Sequence, residues 1–135
     1  MTRTRATTAI AALCALAGCG GSSGDLISIQ ARGGPANRDQ RIVVQDNGQA
    51  SCNKGPASDV GSEALIDARE LERDLKKPAE NAEVHEGTDP RATSYVAQTK
   101  DGTVRWSESA PGLPPVLPRA QLFVLQQGRK LCGPG

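Results

Sequence analysis

The chain has 135 residues, with 16 Lys and Arg against 15 Asp and Glu, a single His and a formal net charge of +1. Near-neutral charge without a basic cluster argues against nucleic-acid binding and against a polybasic membrane-surface domain. The length suits one small domain, and with one Trp, one Tyr and one Phe its core must be aliphatic and lean.

Arg3 and Arg5 precede an alanine-rich apolar run over residues 9–17, far short of the ~20 residues a spanning helix needs. A basic start, a short apolar stretch and small residues before a cleavage point make an export signal. Leu16-Ala17-Gly18-Cys19 resembles the lipobox of bacterial lipoproteins. That resemblance implies that residues 1–18 are a signal peptide and that Cys19 carries at least two acyl chains, palmitate among them. Each buried methylene contributes roughly 0.8 kcal/mol, and two chains give stable anchoring. Residues 19–24 are then the lipidated cysteine and a flexible Gly/Ser tether, and residues 25–135 a single domain. The expected location is the extracytoplasmic face of the cell membrane. A cleaved secretory peptide followed by a coincidental cysteine is the competing reading, but the Gly/Ser stretch suits an anchored domain that must stand off a surface.

Cys14 leaves with the signal peptide and Cys19 takes the lipid, so Cys52 and Cys132 remain. Exported proteins tolerate disulfides, and two cysteines allow one intramolecular pairing. It would close a loop of about 80 residues, for which the chain-entropy model gives roughly 4–5 kcal/mol. A metal or redox role lacks CxxC spacing, and the sole His85 lies in a polar stretch.

In chain order, Ile27, Ile29 and Ala31 alternate with polar residues, which predicts a half-buried strand over 25–32. Gly33, Gly34, Pro35, Ala36 and Asn37 form a turn cluster. A second strand is expected over 41–45. Asn47-Gly48 marks a tight turn, since that pair tolerates positive φ at both positions, and a short return strand is expected over 50–52. Ser62 is the expected cap of a helix reaching Lys77, with Leu65, Ala68, Leu71 and Leu75 inward and Pro78 as its stop. Asp67, Arg69, Glu70, Arg73 and Asp74 make its solvated face. Residues 79–91 read as a mobile acidic loop.

Asp101-Gly102 then signals a hairpin of strands 93–99 and 103–108. With those two residues as the turn, Thr99 pairs with Val104, Ala97 with Trp106 and Tyr95 with Glu108. Tyr95, Ala97, Val104 and Trp106 share a face, with Trp106 in the core rather than on a ligand platform. A proline-rich extended segment over 110–118 leads into a final helix with Pro118 in its first turn. Leu122, Phe123, Val124 and Leu125 should be well buried in that helix, and Gly128 weakens its second half. The order is β-β-(β)-α-β-β-α. This is an α+β domain: a small antiparallel sheet of two hairpins, two helices on one face and one disulfide.

Chemistry is sparse. No nucleophile elbow accompanies His85, and His85 with Glu83 and Glu86 lacks a second histidine for a metal. Glu70 and Asp74 lie one helical turn apart like an acid/base pair, but among arginines ion pairing accounts for them. Gly33-Gly34 is followed by Pro-Ala-Asn-Arg rather than the Lys-Ser/Thr of a phosphate loop. No catalytic, cofactor-binding or metal residue is therefore assigned, and an enzyme is not expected.

Several stretches resemble a family of small, uncharacterised secreted bacterial lipoproteins. They are Gly33-Gly34-Pro35-Ala36-Asn37, Asp46-Asn47-Gly48-Gln49-Ala50-Ser51-Cys52, Leu65-Ile66-Asp67-Ala68-Arg69-Glu70-Leu71-Glu72-Arg73-Asp74-Leu75, Lys100-Asp101-Gly102-Thr103-Val104-Arg105-Trp106 and the closing Cys132. That resemblance brings no activity with it. The order strand, Gly-Gly turn, strand, Leu-rich helix, Tyr-bearing hairpin and Pro-led helix is also similar to emfourin-type inhibitors of thermolysin-like metallopeptidases. Gly33-Gly34 and Leu117-Pro118-Arg119-Ala120 occupy the places of that family's Gly-Gly-Phe turn and Pro-x-x-Leu-Arg-Pro segment, although Pro35 replaces the phenylalanine.

The expected function is a non-catalytic, lipid-anchored protein-interaction module of the cell envelope. Its partners are the membrane through the anchor and another envelope protein, with no nucleic acid. The alternative is an emfourin-type protease inhibitor that contacts its target through residues 33–37. A small-molecule carrier would need an apolar pocket, which low aromatic content disfavours.

Overall fold

The computed structural model describes residues 24–133. The lipobox and Cys19 lie outside these residues. Seven strands and three helices are formed among them, in a mixed α+β arrangement. The strands are β1 (Asp25–Gly33), β2 (Arg38–Gln45), β3 (Gln49–Cys52), β4 (Ser58–Asp59), β5 (Val84–His85), β6 (Thr93–Thr99) and β7 (Gly102–Ser107). The helices are α1 (Ser62–Asp74), α2 (Lys76–Glu80) and α3 (Val116–Leu131). In the sheet the order is β4-β3-β2-β1-β6-β7-β5. All neighbours are antiparallel except β5, which runs parallel to β7. Both edges are two-residue strands, which offer little template for further strand addition.

Period-2 alternation sends Ile27, Ile29 and Ala31 of β1 to one face, where their ladder partners Val44, Ile42, Ala97 and Tyr95 join them. The helices cover this face, and Leu71, Leu75, Leu117, Phe123 and Val124 complete a lean aliphatic core. The expected sheet with helices on one face is present, but it has more strands and one more helix than the pattern suggested.

Several local expectations need correction. Pro78 does not stop the helical run; it sits in the first turn of α2, where its missing N–H is tolerated. What it removes is the bond to the Asp74 carbonyl, and α1 ends at Asp74. Gly61, at φ +85°, caps α1 in place of Ser62, and its N–H is held by Asp59 Oδ1 at 2.6 Å. The inward stripe of α1 is Ala64, Ala68 and Leu71, leaving Leu65 half-buried. In the β2–β3 turn only Gly48 has positive φ, because Asn47 Oδ1 instead accepts the Gln49 N–H at 3.0 Å. On α3, Phe123 and Val124 are buried, whereas Leu122 is 57% exposed. The helix runs through Gly128 to Leu131; a Cβ at Gly128 would stand 2.6 Å from Gln40 Oε1, so the glycine permits close packing on β2.

The β6–β7 hairpin has a register two residues from the one expected. Thr99 pairs with Gly102, Ala97 with Val104 and Tyr95 with Trp106, so Lys100-Asp101 is the turn. A shift of two preserves the faces, and Tyr95 and Trp106 stack in the core with centroids 5.4 Å apart. Trp106 Nε1 donates to Gln121 Oε1 at 2.8 Å.

Candidate functional site

Residues 33–37 link β1 to β2 at one end of the sheet. Gly33 and Gly34 both have φ +77°, which favours glycine. Asn37 N–H bonds the Gly34 carbonyl at 3.0 Å, closing a β-turn with Pro35 at its second position, where the fixed φ suits the turn. Gly34 also lies directly on Thr93, whose side chain occupies the space a Cβ would need. The result is a fixed tip with Pro35, Ala36 and Asn37 exposed.

The root of this tip is braced from the other side. Cys52 and Cys132 form the expected disulfide, with Cα atoms 5.3 Å apart. Asn53 follows at φ +51°. Its side chain accepts the Arg41 N–H at 2.8 Å and donates to the Asp39 carbonyl at 3.1 Å, while its own N–H bonds the Arg41 carbonyl. One residue thus continues the β2–β3 ladder past the disulfide and holds the start of β2. Sequence reasoning passed over Asn53, although an Asn at a strand end is a residue that tolerates left-handed backbone.

Residues 79–91, expected to be a mobile loop, are organised. They contain the end of α2 and β5, and the Glu83 carbonyl accepts the Arg105 N–H at 3.0 Å. His85 lies in β5, 3.0 Å from Glu83 Oε1. Beyond β5, Ser109 Oγ accepts the N–H groups of Thr88 at 3.0 Å and Asp89 at 3.1 Å. Asp89 in turn accepts the Arg91 backbone N–H at 2.9 Å and its guanidinium at 3.2 Å. These bonds, the backbone one foremost, hold the Asp89 carboxyl below the usual carboxylate range.

Between the tip and this second loop lies an open depression of about 850 Å³, walled by Gly33, Gly34 and Pro35 on one side and Asp89, Pro90 and Arg91 on the other. Arg32, Ala92, Ser94 and Glu108 complete its lining. It mixes both charges with glycine and proline. Such a surface can accept a protruding segment of another molecule.

The other candidate residues do not join this site. Glu70 and Asp74 face Arg119 of α3, at 3.9 and 2.8 Å. The Arg119 hydrogen bond holds the Asp74 carboxyl below its ordinary value. Among the described residues no helix is long and apolar enough to cross a membrane. Comparison with protein-family models, with curated proteins and with solved structures gave no match.

Proposed function

We propose that this chain is a non-catalytic, lipid-anchored interaction module that presents the 33–37 tip to another protein of the cell envelope. The observation that supports this reading is the course of β1. Its first residue, Asp25, is six positions from the candidate lipidation site Cys19, at most ~20 Å of extended chain. Its last residue, Gly33, opens the tip, and eight steps of strand separate the two by about 26 Å. A short tether at one end and a fixed tip at the other would hold the contact surface away from the bilayer. Fixed loops suit binding because little entropy is lost on association. Cys19→Ser should release the full-length protein from membranes; retention there without detergent would refute the anchor. Pro35→Asp should leave location unchanged and lower stability by no more than about 1 kcal/mol while abolishing recovery of the partner; full recovery would refute the tip as contact.

A second reading, inhibition of a thermolysin-like metallopeptidase, is favoured by the ordered tip and the depression beside it. Titrating such a peptidase with the full-length protein in detergent tests it. Stoichiometric loss of activity that Pro35→Asp relieves supports inhibition. Full activity at high excess, with the chain uncleaved, rejects this target class.

A further inference from the structure

The sheet face opposite the helices carries a row of side chains fixed by the ladder. Arg41 of β2 pairs with Gln30 of β1, Gln30 with Val96 of β6, Val96 with Arg105 of β7 and Arg105 with Val84 of β5. Arg41 lies across the strands: its Nε donates to Ser28 Oγ at 3.0 Å and a terminal nitrogen to Gln98 Oε1 at 3.1 Å. A guanidinium carries five N–H donors, so this one is oriented with donors to spare. Neither Arg41 nor Arg105 has a carboxylate within ion-pairing distance among the described residues.

On the helical side Arg73, Lys76, Lys100 and Arg119 each stand within 4.0 Å of a carboxylate, while Arg69, Lys77, Arg129 and Lys130 do not among the described residues. What sets the open face apart is that the ladder fixes the spacing of its two arginines. On the open face Asp39, two positions before Arg41 on β2, is 3.9 Å from Arg32 instead. Three strand spacings place the backbones of Arg41 and Arg105 about 14 Å apart. Acidic residues two to four positions apart on an extended segment span about 7–14 Å.

From this charge complementarity we propose that the open sheet face docks an extended acidic segment of the partner protein, with carboxylates on Arg41 and Arg105. The proposal rests on the interaction-module reading and adds the chemistry of its partner. Arg32 and Ser94 belong both to this face and to the depression beside the tip, so one partner can reach both.

The test uses the full-length protein in detergent and a short labelled peptide alternating Glu and Gly. Binding is expected at low ionic strength, fading with salt as exposed charges are screened. Arg41→Glu with Arg105→Glu should weaken it about tenfold or more, whereas Arg69→Glu with Arg73→Glu on α1 should not. The matching Gln-Gly peptide should not bind. Equal loss from the α1 pair, or no loss from the sheet pair, overturns the proposal. So does Arg41-dependent capture of phosphatidylglycerol vesicles by the Cys19→Ser chain in detergent-free buffer, without peptide binding, which would make a lipid the occupant. Melting curves confirm that each variant folds. If the peptide binds as expected while Pro35→Asp leaves partner recovery intact, this proposal stands and the tip reading alone fails.

Discussion

Gly102 lies against the backbone of Ala79, and the carbonyl oxygen of Ala79 occupies the space where a Cβ on Gly102 would be. The glycine, at φ +141°, serves the close approach of α2 to β7 rather than the centre of the hairpin turn. Gly102→Ala meets both a backbone clash and an unfavourable φ, so it should destabilise by about 2–3 kcal/mol. Denaturant melts measure this, and a loss no greater than that of an exposed loop substitution would contradict the contact.

The Cys52–Cys132 bridge closes a separation of 80 residues in a domain with few large side chains. Cys132→Ala should cost about 2–5 kcal/mol, measured against oxidised wild type. Unchanged melting would mean that the bridge adds nothing to stability.

Arg119→Ala tests the link between α1 and α3. Its partners Asp74 and Glu70 are partly exposed, so the loss should be under about 1 kcal/mol. The Asp74 carboxyl is held below its ordinary value of 3.8. Its contribution is therefore present above that value and lost as pH falls through the lowered one. Urea midpoints of wild type and variant should differ near neutrality and converge in acid. A difference that persists below the titration range would contradict the assignment.

Tyr95 is 2% exposed, and burial first, then the charge of Glu108, pushes its phenol above the ordinary value of 10.0. The neutral form is favoured in the fold, so its contribution is complete below pH 10.0 and lost as pH rises through the raised value. The chain has one Tyr, so an absorbance titration reports this group alone. Ionisation near 10 in the folded protein would contradict the burial.

Legibility in the sequence followed the range of the interactions. Alternation marked β1 because side-chain period is a local property, and Cys132 had one partner once Cys14 and Cys19 were assigned to the expected signal peptide and anchor. The Gly-Gly-Pro cluster gave the tip because left-handed backbone and a fixed proline φ are local demands. What escaped depended on distant contacts. Gly102 was taken for a turn glycine because its constraint comes from Ala79 on another element. Pro78 was taken for a stop because the tolerance of α2 depends on where the preceding helix breaks. β5 and Ser109's hold on Thr88 and Asp89 involve partners about 20 residues away in sequence, and no local pattern marks them. Leu122 was expected inside, yet a helix packed on one sheet face buries only one stripe.

The most direct test of the central claim is site-specific photo-crosslinking of the full-length protein in its native cells. A crosslinker at Ala36, on the tip, is compared with one at Ile66, on the exposed face of α1. Adducts to an envelope protein are expected from Ala36, none from Ile66, and the Ala36 adducts should be lost when Cys19→Ser releases the chain. Adducts from Ile66 with Ala36 silent would contradict the claim, and would move the contact surface to the helices.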